Sequence, residues 1–201
     1  KTHVFLARAD TVRVPNGLPN GGQHSFCSQP ASHSSQNPVS DSISSWEVEL
    51  FISKVNDALK GINSRQRAGC AMMVIKTVVN SWSTTYRYAN NGGIRLPCIF
   101  GCGGCRDELS HYFACDILWT VVCTASKRDQ TWLSAGHFQR IGFKEPSSMN
   151  LILICLMFKT YHALRKDFSQ MIDASVADGD FSDIQSRSLF LARLLASDYG
   201  L

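Results

Sequence analysis

The chain has 201 residues, 44% of them hydrophobic and 18% charged, the proportions of an ordinary globular protein, which excludes wholesale disorder, a collagen-like rod and a coiled coil. Twenty Lys and Arg against sixteen Asp and Glu leave +4, an excess that permits an acidic partner without demanding one. The longest apolar run, Leu151 to Phe158, is eight residues, far short of the roughly 20 needed to cross a bilayer.

No basic, apolar leader opens the chain, so the expected location is intracellular, in nucleus or cytoplasm, with no secretion and no membrane partner. The first residue is Lys1 rather than Met, as expected of a fragment or a processed product. Residues 1–45 are rich in Gly, Pro, Asn and Ser, with Pro15-Asn16-Gly17 and Pro19-Asn20-Gly21-Gly22, and read as a disordered, flexible N-terminal arm. Residues 46–201 read as a mainly α domain. Its first helix opens with the capping-box spacing Ser44-x-x-Glu47 and runs to about Lys60, with Phe51, Val55, Leu59 and Ile62 on one face and Gly61 placed to end it.

A second helix is expected over about Arg65 to Tyr86, with Ala71, Val74, Val78, Trp82 and Tyr86 at helical spacing, and Asn90-Asn91-Gly92-Gly93 stops it. The segment from Trp46 to Leu96 carries Lys54, Lys60, Arg65, Arg67, Lys76, Arg87 and Arg95 against Glu47, Glu49 and Asp57. On one continuous helix Arg65, Lys76 and Arg87 would stand nearly in line, eleven residues apart. Leu109 to Thr124 reads as a third helix, and Ser147 to Phe168 as a fourth that is apolar all round in its middle and therefore buried. Phe181 to Ser197 is the last, opened by Asp180 as N-cap. The strand candidates are Val12–Val14 and Gln139–Phe143. Trp46, Trp82, Trp119 and Trp132 are expected as core anchors.

Eight cysteines in a reducing compartment point to metal ligation where they cluster and to inert buried thiols where they scatter. Cys27, Cys70, Cys123 and Cys155 are scattered. Cys98, Cys102, Cys105 and Cys115 lie close together and enclose His111. Four N or S ligands make a structural zinc site, commonly one pair from a tight loop and one from a helix. The Gly-rich turn from Cys98 to Cys105 supplies the loop, and His111 and Cys115, four apart, would share a helix face that Asp107 or Ser110 caps. Two sets satisfy this: Cys98, Cys102, His111 and Cys115, or Cys102, Cys105, His111 and Cys115, with the C-x2-C spacing of the second the commoner knuckle.

The stretches Asn80–Arg87, Leu96–Cys102 and Arg106–Trp119 resemble the Cys-Cys-His-Cys segment that follows the polymerase domain in reverse-transcriptase-like proteins of non-LTR retroelements. The likeness is specific over about residues 74–119 and vaguer through Tyr161–Arg165 and Ala192–Leu201. It implies Cys98, Cys102, His111 and Cys115 as ligands of one Zn2+, with Cys105 an extra thiol, and it matches Arg87 and Trp119. The chain departs from the family's polymerase part: it holds no carboxylate pair of a polymerase palm and no nuclease-type carboxylate cluster. A Cys123 nucleophile with His137 or His162 has no oxyanion-hole motif beside it, and the Gly-rich turns lack the Lys-Ser/Thr of a phosphate loop. The chain is therefore expected not to be an enzyme. Two functions remain: a zinc-stabilised segment that offers Arg65, Lys76, Arg87 and Arg95, with Lys60 and Arg67, to RNA or DNA phosphates, or a non-enzymatic structural or protein-interaction subunit with the zinc as a staple and the basic surface as ordinary solvated charge.

Overall fold

The computed structural model describes residues 45–88, 95–103, 105–128, 140, 142 and 145–201. The expected N-terminal arm, the cap at Ser44, the strand at Val12–Val14 and most of Gln139–Phe143 lie outside them, as do the side chains of Trp46 and Trp132. The described residues form eight helices and no strand: α1 Ser45–Lys60, α2 Ser64–Val78, α3 Thr85–Tyr88, α4 Leu109–Tyr112, α5 Asp116–Ala125, α6 Ser148–Asp167, α7 Ser169–Asp178 and α8 Ser182–Ser197. The fold is mainly α, as the sequence predicts.

The uniformly apolar middle of α6 makes it the axis. Every side chain from Asn150 to Phe158 is buried, because α1, α2, α5 and α8 all pack against this helix and leave it no polar face. Its start is fixed by a reciprocal cap: Ser147 Oγ accepts from Asn150 N at 3.2 Å, and Asn150 Oδ1 accepts from Ser147 N at 3.1 Å. Ser148 Oγ donates to Ala58 O at 2.6 Å, closing the carboxyl end of α1. Gly61, which ends α1, lies so close that a Cβ there would run into Ser148 Oγ.

Two expected helices change shape and one helix is added. The helix expected through Tyr86 stops at Val78, because Asn80 takes φ +51 and sends the chain out of the helix. Ser81 N donates to Lys76 O at 2.6 Å and Asn80 N to Thr77 O at 3.1 Å, the Schellman pairing that satisfies the last carbonyls of a helix. Arg87 therefore stands on α3, and the expected line of Arg65, Lys76 and Arg87 does not exist. The helix expected over Leu109 to Thr124 breaks into α4 and α5 at Phe113–Cys115. Finally, α7 occupies a stretch left without an element; it ends where Gly179 adopts φ +74. Asp180 then accepts from Ser182 N at 2.9 Å, so it turns the chain into α8 rather than capping a helix from Phe181.

At its base the non-helical link between α3 and α4 is attached to the bundle by a buried carboxylate, Asp107, which has no exposed surface. Its Oδ1 accepts from Tyr112 Oη at 2.5 Å and Tyr161 Oη at 2.9 Å, and its Oδ2 accepts from Thr85 N at 2.7 Å. Those donors come from α4, α6 and α3, so a single carboxylate ties three helices to the link. The sequence assigned Asp107 to capping a helix, but the residue before α4 is Glu108 and makes no side-chain cap. Asp107→Asn places an amide where Thr85 N–H needs an acceptor, and is expected to cost about 2 kcal/mol or more in urea unfolding, whereas Asp57→Asn, at an exposed pair with Lys60, changes stability by less than about 1 kcal/mol.

Candidate metal centre

The link from Leu96 to Asp107 folds back on itself as a short two-stranded knuckle. Pro97 pairs with Arg106, Cys98 N donates to Cys105 O at 2.8 Å, and Asp107 N donates to Leu96 O at 3.0 Å. The turn at its tip needs glycine twice over. Gly101 and Gly103 have φ +75 and +71, in the left-handed region that other residues avoid. Gly101 also lies against the Phe181 ring so closely that a Cβ would overlap it. Gln185 Nε2 donates to Phe100 O at 3.0 Å, so Phe181 and α8 hold the tip from outside while Asp107 holds the base.

That geometry turns Cys98 and Cys102 toward His111 and Cys115. Their ligand atoms all lie within 4.8 Å of one another. His111 comes from α4 and Cys115 is the N-cap of α5, with φ −68 and ψ 100. The two were expected on one helix face; a tight turn brings them together instead. Ala114 N donates to His111 O at 2.8 Å, and Trp119 Nε1 closes the turn on Phe113 O at 2.9 Å.

Two of the separations are close to the edges of a tetrahedral metal site. Metal–sulfur bonds of about 2.3 Å and a metal–nitrogen bond of about 2.0 Å span tetrahedral edges of roughly 3.8 Å between sulfurs and roughly 3.5 Å from sulfur to nitrogen. Cys98 Sγ and Cys115 Sγ are 3.8 Å apart, and Cys102 Sγ and His111 Nε2 are 3.0 Å apart. The second pair needs to open by only about 0.5 Å to admit an ion. Among the described residues this is the set that gathers, with Cys98 and without Cys105. Cys105 contributes its backbone carbonyl to the knuckle, and its sulfur is held in a disulfide, so it is not the extra thiol that the resemblance implied. Of the two sets open to the sequence, the structure assembles the one that the family resemblance implied.

Charge within the cluster is unevenly held. Hydrogen bonds from the Cys115 and Cys98 thiols bring the Cys102 thiol down to a pKa of about 4. Burial pushes Cys115 well above the ordinary thiol value, and its bonds to Cys102 and Cys98 add to the rise. With no cation present, the first thiolate is stabilised by its neighbours' protons and a further one is opposed. A dication reverses that balance by neutralising several thiolates together. One face of the cluster is sealed by aromatic packing. Phe100 meets Tyr112 edge-on at 5.8 Å, and Tyr112 stacks on Trp82 at 5.8 Å and 22°. Trp82 and Trp119 are fully buried, the core anchoring expected of them.

The cationic residues are placed less uniformly than the sequence implied. Arg65 begins α2 and is exposed. Lys76 leans back over the Phe158 ring at 5.6 Å. Arg87 donates to Asn80 O at 2.5 Å. Arg95 stands over the Tyr86 ring at 5.2 Å, and Arg106, which the sequence did not single out, stands over the same ring at 5.6 Å. The cue that could have found Arg106 was its position inside the motif spacer, beside Asp107. Among the described residues no helix is long and apolar enough to cross a membrane. No protein-family model, curated protein or solved structure matches the chain.

The cluster is expected to take up one divalent ion per chain. Cys98→Ser, Cys102→Ser and Cys115→Ser should each lose it, and Cys105→Ser should keep it. Metal content after gel filtration, with thiolate-to-Co2+ absorption as a probe of tetrahedral geometry, checks both halves; retention by Cys98→Ser with loss by Cys105→Ser would reverse the assignment.

Proposed function

We infer that the chain is a non-catalytic, zinc-stabilised nucleic-acid-binding segment of the reverse-transcriptase-like, retroelement-derived kind its motif resembles. Three thiols and one imidazole are soft and borderline ligands suited to Zn2+, and four protein ligands close its tetrahedron, so the ion would hold structure and leave no position for substrate. Cys98, Cys102, His111 and Cys115 would be its ligands. The zinc would cross-link the knuckle to the start of α5, two points that the backbone otherwise joins only through α4.

The observation that carries the binding reading is the placement of Arg95 and Arg106 over one exposed ring, Tyr86, at the base of the knuckle. Both guanidinium groups belong to exposed residues, as does neighbouring Arg87. A rigid aromatic plate flanked by cations suits a phosphate backbone and offers a surface to an unstacked base. This shifts the proposed contact surface away from α2. Of the residues expected from the sequence, Arg95 and Arg87 lie in it, Lys76 is drawn toward Phe158, and Arg65 lies far along the chain at the opposite end of α2 from the turn that leads to Tyr86.

Binding of this kind is electrostatic and weakly sequence-selective, since phosphate contacts position a protein without reading bases. Arg95→Ala with Arg106→Ala is expected to lower the slope of log affinity against log salt by about 2, roughly one counterion for each lost contact, while Arg65→Ala leaves the slope nearly unchanged. Titrations of zinc-loaded protein against single-stranded and duplex RNA and DNA at several salt concentrations measure this. Absence of binding to any of them at low salt would leave the alternative reading, an interaction subunit in which the same cations are ordinary surface charge.

A further inference from the structure

Two of the scattered cysteines are brought together far from the metal cluster. Cys70 on α2 and Cys155 on α6 lie 85 residues apart in sequence, are both fully buried, and have Sγ atoms 2.6 Å from each other. Both are free thiols. The contact belongs to the packing of α2 on α6: Cys70 Sγ donates to Leu151 O at 3.5 Å, and Cys155 Sγ reaches Cys70 O at 3.5 Å. Two thiols inside van der Waals contact, pointed at one another across a helix pair, need little movement to reach the bonded distance of about 2.05 Å. A scattered cysteine is ordinarily an inert core residue; here the fold pairs two of them.

We propose that Cys70 and Cys155 are a peroxide-reactive dithiol that closes into a disulfide between α2 and α6. The two sulfurs have unlike roles. Cys155 donates to Cys70, and that bond lowers the Cys70 thiol and raises Cys155, while burial raises both and the charge of Lys159 lowers both. Cys70 is thus the nucleophile and Cys155 the resolving thiol. The Cys70 thiolate attacks one peroxide oxygen and the O–O bond breaks. Cys70 becomes a sulfenic acid, and the departing hydroxide takes up a proton to leave as water. The Cys155 sulfur then attacks the Cys70 sulfur, the S–O bond breaks, and a second water leaves with the Cys155 proton. Two thiols and one hydrogen peroxide become one disulfide and two waters, a two-electron oxidation of the protein. Tyr199 bonds to the Cys155 side chain and carries the Lys159 ammonium 5.1 Å above its ring, so the pair lies beneath the turn that follows α8. Entry of peroxide waits on opening of that cover, which sets the rate and not the product.

The test uses the whole chain as purified. It is held overnight with excess hydrogen peroxide well below its unfolding midpoint, then alkylated under denaturing conditions, digested without reductant and mapped by mass spectrometry. The expected product is a cross-linked pair of peptides carrying Cys70 and Cys155, 2 Da lighter than their sum. The expected companion effect is a rise in unfolding midpoint of about 5 °C or more, reversed by dithiothreitol, because the bond closes a long loop of the unfolded chain. Cys155→Ala should lose the cross-link and halt Cys70 at sulfenic acid, trapped by dimedone. Full alkylation of both cysteines, their conversion to sulfinic or sulfonic acids, or a scrambled set of partners would overturn the proposal. The map of the unsubstituted chain decides the matter even if Cys155→Ala does not fold. Zinc measured before and after separates this chemistry from oxidation at Cys98, Cys102 and Cys115.

Discussion

The structure depends on a carboxylate taken out of water. Asp107 is wholly buried, and among the described residues no salt bridge compensates it, so its cost is met by three donors from α3, α4 and α6. Two of those donors are phenols kept in the protonated form they need. Burial first, and the negative charge of Asp107 after it, raise both Tyr112 and Tyr161. Tyr161 Oη reaches Ser83 O as well, at 3.2 Å, and Leu96 N donates to Thr85 Oγ1 at 3.0 Å. The segment that leaves α2 is therefore fixed through Tyr161 and the segment that enters the knuckle through Thr85, two residues that both also bond to Asp107. A hydrophobic residue at position 107 could fill the volume, but it would remove the acceptor that two phenols and an amide share.

That constraint explains why a short link with little secondary structure holds a four-ligand cluster in register. The base of the knuckle is bound to Asp107, the tip is bound by Phe181 and Gln185, and the far ligands follow α4, whose Tyr112 is itself bonded to Asp107. The Cys/His cluster, were it to hold a metal, and the carboxylate would thus be two fasteners on one loop. Their chemistry differs: the hydrogen-bond hub can form as the helices pack, whereas the thiols repel further ionisation until a cation arrives. Cys98 lies in the paired backbone beside Pro97 and also faces Cys115, so a metal held by the cluster would couple to knuckle conformation through it.

The fold was legible where local signals and burial agreed. The eight-residue apolar run, with Ser147 before it, specified α6 almost to its ends, and Gly61 ended α1 as its position implied. Elsewhere the hydrophobic period was right and the element wrong. Trp82 and Tyr86 continue the spacing of α2, yet Asn80 turns the chain into the left-handed region first; an Asn three residues before a Ser- and Thr-rich run was the available cue. The break between α4 and α5 carries no Gly or Pro and comes from tertiary demand, since Cys115 must face the knuckle while Trp119 enters the core. In α7 the buried positions are only Ile172 and Ser175, too thin a stripe for periodicity to register. The ligand types and their region were evident from composition. The choice between Cys98 and Cys105 was not, because spacing cannot show which sulfurs of a Gly-rich turn come together, nor that the Cys105 sulfur is engaged in a disulfide.

The same distinction governs where a nucleic acid would be held. Cations spread along an exposed helix would engage phosphate wherever α2 is helical, independently of any metal. Arg95 and Arg106 instead flank the paired backbone of the knuckle, one residue outside Leu96 and one before Asp107, and both rest on a tyrosine whose backbone N–H donates to Asp107 O at 3.2 Å. Their geometry is inherited from the hub and the cluster. A surface built in this way has its cations preorganised by packing against Tyr86, so less side-chain freedom is lost when a phosphate is bound than for a Lys on a free helix face. It would also tie the proposed binding surface to the integrity of the knuckle, so that a substitution at Cys98 would disturb Arg106 through the backbone pairing of Pro97 with Arg106 and Cys98 with Cys105.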